Sequence, residues 1–211
     1  MKKSVLFLLL SIILFITFHQ TSGQVPEVKL VDIGKADPTI IIDLRYATED
    51  NFTGKKVYSV NIAYLRPEVA KKLLKVQKKL KKIGLGLKIW DAYRPLSVQY
   101  KFWELVPDLR YVADPKVGSN HNRGAAVDVT LVDSKGKELP MPTEFDDFTE
   151  KAGRNYNKLP KEVIKNRKLL EDYMVSEGFL PLPTEWWHFD YKNIKDYPVL
   201  DIPLEEVKSE K

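Results

Sequence analysis

The chain has 211 residues, of which 44% are hydrophobic and 30% charged, and its formal net charge is +5. This length is enough for one domain with a hydrophobic core. The absence of cysteine excludes a disulfide scaffold, a thiolate metal site and a thiol nucleophile. The small positive excess is concentrated between residues 71 and 82 without interleaved aromatic residues, so it indicates a solvated helix face and no nucleic-acid partner.

A secretory signal peptide is predicted for residues 1–23. Lys2 and Lys3 form a positive start, and an uncharged, mostly apolar run covers residues 4–18. This run is shorter than the roughly 20 apolar residues of a membrane span, which favours cleavage before Gln24 over retention as an anchor. We therefore expect a secreted protein of the bacterial periplasm, without stable membrane insertion, whose single domain covers residues 24–211.

The first half of this domain contains two predicted strands and two predicted helices. The β-branched run 40–44 predicts a short strand, and residues 46–54 form an ordered loop. Pro67 opens a helix that Gly84 ends. Apolar residues recur within it at helical spacing, namely Val69, Leu73, Val76 and Leu80. A strand over 85–90 follows, and Ser97 is a candidate cap for a helix that runs to about residue 105.

The second half continues with a loop at 118–123, a buried strand over 125–131, a helix over 161–177 and a strand over 185–191. Helices and strands are interspersed without a regular βαβ repeat. The pattern therefore predicts an α+β fold, a single compact domain in which helices flank a mainly antiparallel sheet.

Two motifs about sixty residues apart supply candidate metal ligands. The first runs from Ser119 to Asp128 and contains His121, and the second runs from Glu185 to His188. Two imidazoles and a carboxylate, with a fourth position open for water, are the ligand set of a catalytic zinc site. Asp128 lies in an apolar strand, where a buried carboxylate needs a partner, and either a metal ion or a salt bridge would provide one.

Two further residues are candidates for catalysis. Glu185 could act as general base if it reaches water at the metal. Its odd spacing from His188 would point the two side chains to opposite faces of a regular strand, so the strand must be bulged there or begin after Glu185. Arg94 follows a predicted strand and could donate to an oxyanion, but a structural ion pair with Asp91 is an equal alternative.

Together these motifs resemble the zinc D-Ala-D-Ala peptidases, a hedgehog-like group that also includes cell-wall carboxypeptidases and phage endolysins. Residues 43–48, 51–54, 91–95 and 145–146 narrow the resemblance to the D-alanyl-D-alanine dipeptidase branch, the VanX type. The similarity runs from about Val31 to Pro203, which is nearly the whole predicted domain.

The resemblance implies a mixed α+β domain with one zinc ion per chain. It assigns the following roles: His121, Asp128 and His188 as metal ligands, Glu185 as general base, Arg94 as transition-state stabiliser, Asp146 as the site for the substrate ammonium and Ser119 as a contact for its carboxylate end. For Asp146, a position at a helix N-terminus near Thr143 is the alternative.

The expected activity is zinc-dependent hydrolysis of the small dipeptide D-alanyl-D-alanine to two D-alanines. One alternative is a D,D-carboxypeptidase or endopeptidase that acts on peptidoglycan stem peptides. A second alternative is a non-catalytic binding domain stabilised by zinc. A pocket closed around Asp146 would favour free dipeptides, whereas an open groove would favour longer peptides.

Overall fold

The computed structural model describes residues 28–210, so the predicted signal segment lies outside the described part and stays a prediction. Within residues 28–210, no helix combines the length and apolar character that crossing a membrane requires. The strands are β1 (Leu30–Asp32), β2 (Ile41–Ile42), β3 (Tyr64–Leu65), β4 (Leu85–Asp91), β5 (Ala126–Asp133), β6 (Phe179–Pro181), β7 (His188–Tyr191) and β8 (Ser209–Glu210). The α-helices are α1 (Ile33–Ala36), α2 (Pro67–Lys81), α3 (Leu96–Leu105) and α4 (Lys161–Val175).

Five strands form the main sheet in the order β2-β4-β5-β7-β6. Only the β2–β4 pair in this sheet is parallel, and the other three pairs are antiparallel. A smaller sheet has the order β3-β1-β8. The predicted α+β domain with a mainly antiparallel sheet is therefore confirmed.

The two longest strands, β4 and β5, form the centre of the molecule. β5 is buried along nearly its whole length, because it is covered on both faces. Its register with β4 shifts between Ile89, which is opposite Val129, and Asp91, which is opposite Asp128. One extra residue, Trp90, is thus accommodated on β4. Such bulges redirect side chains and are common beside active sites, and this one leads directly into the segment that carries Arg94.

Helix α2 packs on the sheet as its sequence pattern predicts. Pro67 occupies the first turn, where its missing N–H costs no hydrogen bond. The four apolar residues at helical spacing are all fully buried. α4 lies beside α2 and ends two residues earlier than predicted.

Several other predicted element boundaries differ from the structure. Helix α3 begins at Leu96 after Pro95, and the N–H of Ser97 donates to the Asp201 carboxylate at 2.7 Å, so Ser97 is not the cap. The first predicted strand shrinks to Ile41–Ile42 because the chain turns away after two ladder positions. The last predicted strand begins only at His188.

A cluster of aromatic side chains supports the sheet end on which the candidate site lies. Trp90 and Trp186 meet edge to face with ring centroids 5.6 Å apart, and Trp186 meets Trp187 in the same way. All three rings are at most 1% exposed. Burying such large rings stabilises this end of the sheet and fixes the backbone that carries the site residues.

Candidate active site

Three candidate ligands converge where β5 and β7 pair. Asp128 lies directly opposite His188 in the antiparallel register. His121 comes from a 3-10 turn that Gly124 ends at a φ of 67°. A Cβ at position 124 would lie 3.1 Å from a buried leucine side chain, so glycine lets the loop fold back tightly. One ligand atom from each of His121, Asp128 and His188, the ligand trio, lies within 4.8 Å of the others.

Hydrogen bonds on the outer side of each imidazole fix which nitrogen faces the centre. Nδ1 of His121 lies 2.7 Å from the carbonyl oxygen of Ala92, and Nε2 of His188 lies 2.9 Å from a carboxylate oxygen of Asp190. These oxygens can only accept, so both nitrogens carry protons. The other two ring nitrogens, Nε2 of His121 and Nδ1 of His188, therefore face the centre and lie 3.1 Å apart. Oxygen acceptors behind the rings are the usual support of metal-ligating histidines.

The spacing of the donor atoms is close to that around a zinc ion. His188 Nδ1 lies 2.9 Å from Asp128 Oδ1, and His121 Nε2 lies 3.4 Å from Asp128 Oδ2. Ligands about 2.0–2.2 Å from a tetrahedral zinc ion stand about 3.3–3.6 Å apart. Two imidazole nitrogens and a carboxylate that face one point thus form a donor set that a divalent cation would satisfy with small movements.

Charge within the ligand trio also favours a cation. Burial raises the pKa of Asp128, but the two histidines outweigh it and hold that pKa well below its usual range. Burial lowers the pKa of His188, but hydrogen bonds to Asp128 and Asp190 outweigh it and hold that pKa well above 6.5. The buried carboxylate therefore stays ionised and requires a positive charge beside it, which a metal ion would also supply.

Glu185 lies before β7, which begins at His188. Of the two arrangements that the odd spacing allowed, a bulged strand or a strand that begins after Glu185, the structure has the second. Glu185 lies in a turn, and its backbone N–H is 3.4 Å from the carbonyl oxygen of Leu182. Its Oε2 lies 4.0 Å from Nδ1 of His188. Burial raises the pKa of Glu185; His188 opposes this rise and the charge of Asp128 adds to it. A carboxylate that binds protons more readily, placed beside the ligand trio, suits a general base.

Arg94 is both ion-paired and part of the site. Its Nε and Nη2 donate to Oδ2 of Asp91 at 3.0 and 2.6 Å, so the ion pair considered from the sequence is present. Burial lowers the pKa of Arg94, but the charge of Asp91 outweighs this effect and raises that pKa well above its usual value. Tyr58 in turn donates to the other oxygen of Asp91 at 2.7 Å. Asp91 therefore fixes a permanently charged guanidinium in the wall of the cavity.

Asp146 lies in a turn, and no helix of the described chain begins beside it, so the alternative of a helix N-terminus is wrong. Its φ of 57° is the only positive value of a non-glycine residue within residues 28–210. The Tyr46 hydroxyl lies 3.2 and 3.0 Å from its two carboxylate oxygens. Burial, followed by the charge of Asp128, raises the pKa of Asp146 well above its usual value. A strained backbone conformation combined with a strongly shifted pKa at one residue is typical of a functional position.

Ser119 lies at the His121 end of the site. Its N–H donates to the Asn122 side chain at 2.6 Å, and its hydroxyl oxygen accepts the His121 N–H at 3.3 Å. As an acceptor in this contact, the hydroxyl keeps its own proton available to donate. A substrate carboxylate is one group that could accept it.

All of the residues predicted for the site line one cavity of about 740 Å³, a volume within the range of small-molecule sites. They are Arg94, Ser119, His121, Asp128, Asp146, Glu185 and His188. Aromatic rings form part of the same wall, namely Phe52, Phe102, Tyr111 and Phe148.

Sequence reasoning missed two residues that support this site. Asp190, which accepts from His188, lies two positions further along β7 and therefore on the same face, a signal that the sequence contained. Tyr46 is 100 positions away from Asp146, and nothing in its local pattern indicated that contact.

A buried ligand trio, a carboxylate of raised pKa and a fixed guanidinium in one cavity define a metal-dependent hydrolase. Comparison with known proteins makes the class specific. Residues 26–205 match the model of the peptidase M15 family, described as D-ala-D-ala dipeptidase. The chain belongs to this family of metallopeptidases.

Three curated relatives are similar in sequence to this chain over most of their own length. The chain is 39% identical to the D-alanyl-D-alanine dipeptidase of Escherichia coli (strain K12), over 82% of this chain and 89% of that protein. It is 32% identical to the D-alanyl-D-alanine dipeptidase of Enterococcus faecium, over 77% and 91%. It is 33% identical to the protein of that name in Enterococcus faecalis (strain ATCC 700802 / V583), over 70% and 83%.

Proposed function

We propose that this chain is a zinc-dependent D-alanyl-D-alanine dipeptidase that releases two D-alanines. The observation that carries the proposal is the position of Asp146 in the same cavity as the ligand trio. A peptide bond beside the trio would then place a free ammonium group near Asp146. Relatives with the corresponding name and 32–39% identity support the same substrate.

His121, Asp128 and His188 would hold one zinc ion per chain. Bound there, zinc would polarise the peptide carbonyl and make a water molecule more acidic. The outer hydrogen bonds to Ala92 and Asp190 hold both imidazoles in the orientation that this role requires.

Glu185 moves the proton in the proposed reaction. Its carboxylate takes a proton from the attacking water as the water oxygen bonds to the peptide carbonyl carbon. When the carbon–nitrogen bond breaks, Glu185 gives that proton to the leaving nitrogen. The raised pKa of Glu185 favours the first transfer, and each turnover regenerates the carboxylate.

Arg94 acts on the charge that develops during attack. The carbonyl oxygen becomes negative as the carbon turns tetrahedral, and the guanidinium stabilises that charge. Because Arg94 is buried and held by Asp91 before substrate binds, little reorganisation is needed during the reaction.

Asp146 and Ser119 bind the two ends of the dipeptide. The Asp146 carboxylate accepts hydrogen bonds from the substrate ammonium, and the Ser119 hydroxyl donates to the carboxylate end. An ammonium replaced by an amide would leave Asp146 buried without a cation, so peptides with a blocked N-terminus are rejected.

The test compares D-Ala-D-Ala with N-acetyl-D-Ala-D-Ala, with purified protein and release of D-alanine as the assay. We expect cleavage of the free dipeptide and at least a hundredfold lower kcat/KM for the acetylated one, the loss that about 3 kcal/mol of charged hydrogen bonding represents. Equal or faster cleavage of the acetylated peptide would contradict the proposal.

A carboxypeptidase acting on stem peptides is the second candidate. The cavity of about 740 Å³ is larger than two alanine residues fill, which favours longer peptides. Cleavage of a tripeptide or pentapeptide that ends in D-Ala-D-Ala, at a rate comparable to that of the dipeptide, would support this alternative. A non-catalytic zinc domain has no such support, since Glu185 and Arg94 both line the cavity.

We also propose that the protein acts outside the cytoplasm, in the periplasm. The support is the sequence of residues 1–23, with Lys2 and Lys3 before an apolar run. Cell fractionation and N-terminal sequencing of the native protein test this location. A chain that keeps its first residues in the cytoplasmic fraction would contradict it.

A further inference from the structure

The surroundings of Arg94 contain a second polar side chain that the mechanism does not use. Gln99 lies on α3 and is completely buried. Arg94 Nη1 donates to the Gln99 side-chain oxygen at 2.8 Å, and the Gln99 side-chain nitrogen donates to the carbonyl oxygen of Ala113 at 2.9 Å. Gln99 thus connects Arg94 to the loop that contains Ala113.

Gln99 and Asp91 hold different nitrogens of the guanidinium. Asp91 accepts from Nε and Nη2, whereas Gln99 accepts from Nη1. Three of the five N–H groups of arginine are thereby used within residues 28–210, and one hydrogen on each Nη nitrogen is left for a ligand in the cavity. Rotation of the guanidinium about its own axis would break both contacts at once.

An amide suits this position for a chemical reason. Gln99 has to accept from Arg94 and donate to Ala113 at the same time, and a buried amide can do both. It also adds no charge, so Asp91 remains the only carboxylate that bonds to the guanidinium among the described residues. A second carboxylate at position 99 would neutralise the charge that the developing oxyanion needs.

The loop partner of Gln99 belongs to the cavity. Ala113 lines it together with Tyr111 and Val112. One side chain therefore fixes both the position of Arg94 and the distance from Arg94 to this part of the cavity wall. A buried amide with both ends satisfied specifies geometry more than it adds stability.

We propose that Gln99 is a positioning residue that holds the Arg94 guanidinium, through Nη1, in the orientation used to stabilise the transition state. This inference rests on the proposed role of Arg94 in peptide hydrolysis. It predicts an effect on kcat with little change in KM, because Arg94 acts on charge that appears only during the reaction.

The first test replaces Gln99 by methionine, which keeps the length of the side chain and removes both hydrogen bonds. We expect kcat to fall about ten- to a hundredfold, the loss that one hydrogen bond to a charged group represents. Tyr100→Met on the same helix, at a side chain that is 45% exposed, is the matched control and should leave kcat unchanged.

A double-mutant cycle separates positioning from general destabilisation. If Gln99 acts through Arg94, Gln99→Met should cost less than twofold in the Arg94→Ala background. An equal fall of kcat in both backgrounds, or no fall in the native background, would overturn the proposal. The melting temperature and zinc content of each variant show whether the fold is retained.

A measurement on the unaltered protein keeps the proposal testable without activity or variants. Side-chain NMR of Arg94 in the native chain should show separate Nη hydrogen signals, because contacts at Nη1 and at Nε with Nη2 stop rotation of the guanidinium. Averaged signals would overturn the proposal even if the dipeptidase activity is found. Separate signals in a protein that does not cleave D-Ala-D-Ala would refute the proposed function and leave the positioning geometry intact.

Discussion

Replacing Asp146 by asparagine separates substrate binding at this residue from its effect on stability. The substitution keeps the size of the side chain and tolerates the φ of 57°. It removes the charge that would meet the substrate ammonium, so kcat/KM for D-Ala-D-Ala should fall about ten- to a hundredfold, as about 1.5–3 kcal/mol of charged hydrogen bonding implies. The ratio of kcat/KM for the free dipeptide to kcat/KM for the acetylated dipeptide should decrease by a similar factor.

The same substitution should stabilise the fold at neutral pH. Burial, with the charge of Asp128, raises the pKa of Asp146, so the folded state binds a proton there more tightly than the unfolded state. The native carboxyl therefore contributes stability below the unfolded pKa, near 3.9, which is lost as pH rises through the folded value. Each pH unit by which the folded pKa of Asp146 exceeds the unfolded pKa lowers the free energy of unfolding at pH 7 by about 1.4 kcal/mol, and Asp146→Asn would restore that stability.

The assay pairs steady-state kinetics with thermal unfolding of metal-free protein between pH 4 and pH 7. The melting temperature of Asp146→Asn should match that of the native protein near pH 4 and exceed it increasingly toward pH 7. Glu144→Gln, two positions away in the sequence, is a control for a general charge effect. A lower melting temperature combined with unchanged kcat/KM would refute both parts of the reasoning.

Three other substitutions test separate parts of the structure. Glu185→Gln should lower kcat about 10²- to 10⁴-fold, because proton transfer is lost, and zinc analysis should find the metal retained. Asp190→Ala removes the acceptor behind His188 and should weaken zinc binding about ten- to a hundredfold in a chelator competition. Leu73→Ala empties a fully buried site on α2 and should cost about 2–5 kcal/mol in urea unfolding.

The outcomes that would contradict these expectations are distinct. A Glu185→Gln protein with near-native turnover would exclude Glu185 as the base. Unchanged zinc affinity in Asp190→Ala would mean that the imidazole is oriented by other contacts. Thr184→Ala, beside Glu185, provides a matched control for the kinetic measurements. A loss below 1 kcal/mol in Leu73→Ala would mean that the core closes around the missing side chain.

The long elements and the candidate ligands could be predicted because their signals are local. Apolar residues at helical spacing after Pro67 predict helix α2. An apolar run that contains Asp128 predicts strand β5. His121 and His188 stand out because the predicted mature chain contains no other histidine. The approach of His188 to Asp128 depends on the pairing of β5 with β7, for which the sequence pattern contains no signal.

The remaining parts depend on contacts between distant segments. Strands β1, β3 and β8 have two or three residues each, too few for a periodic signal, and they exist because they pair with one another. The contact of Tyr46 with Asp146 has the same origin. The start of α3 was misplaced because Pro95 fixes the entry to the helix, while the N–H of Ser97 finds its acceptor in the distant Asp201.

The most direct test of the account is a zinc titration of the purified protein after removal of metal by a chelator. D-alanine release from D-Ala-D-Ala should be absent in the metal-free protein and rise linearly with added zinc to a plateau at one ion per chain. His188→Ala should show no such rise, because it lacks one member of the ligand trio. Turnover that persists in the metal-free protein, or a native zinc response in His188→Ala, would contradict the proposed site.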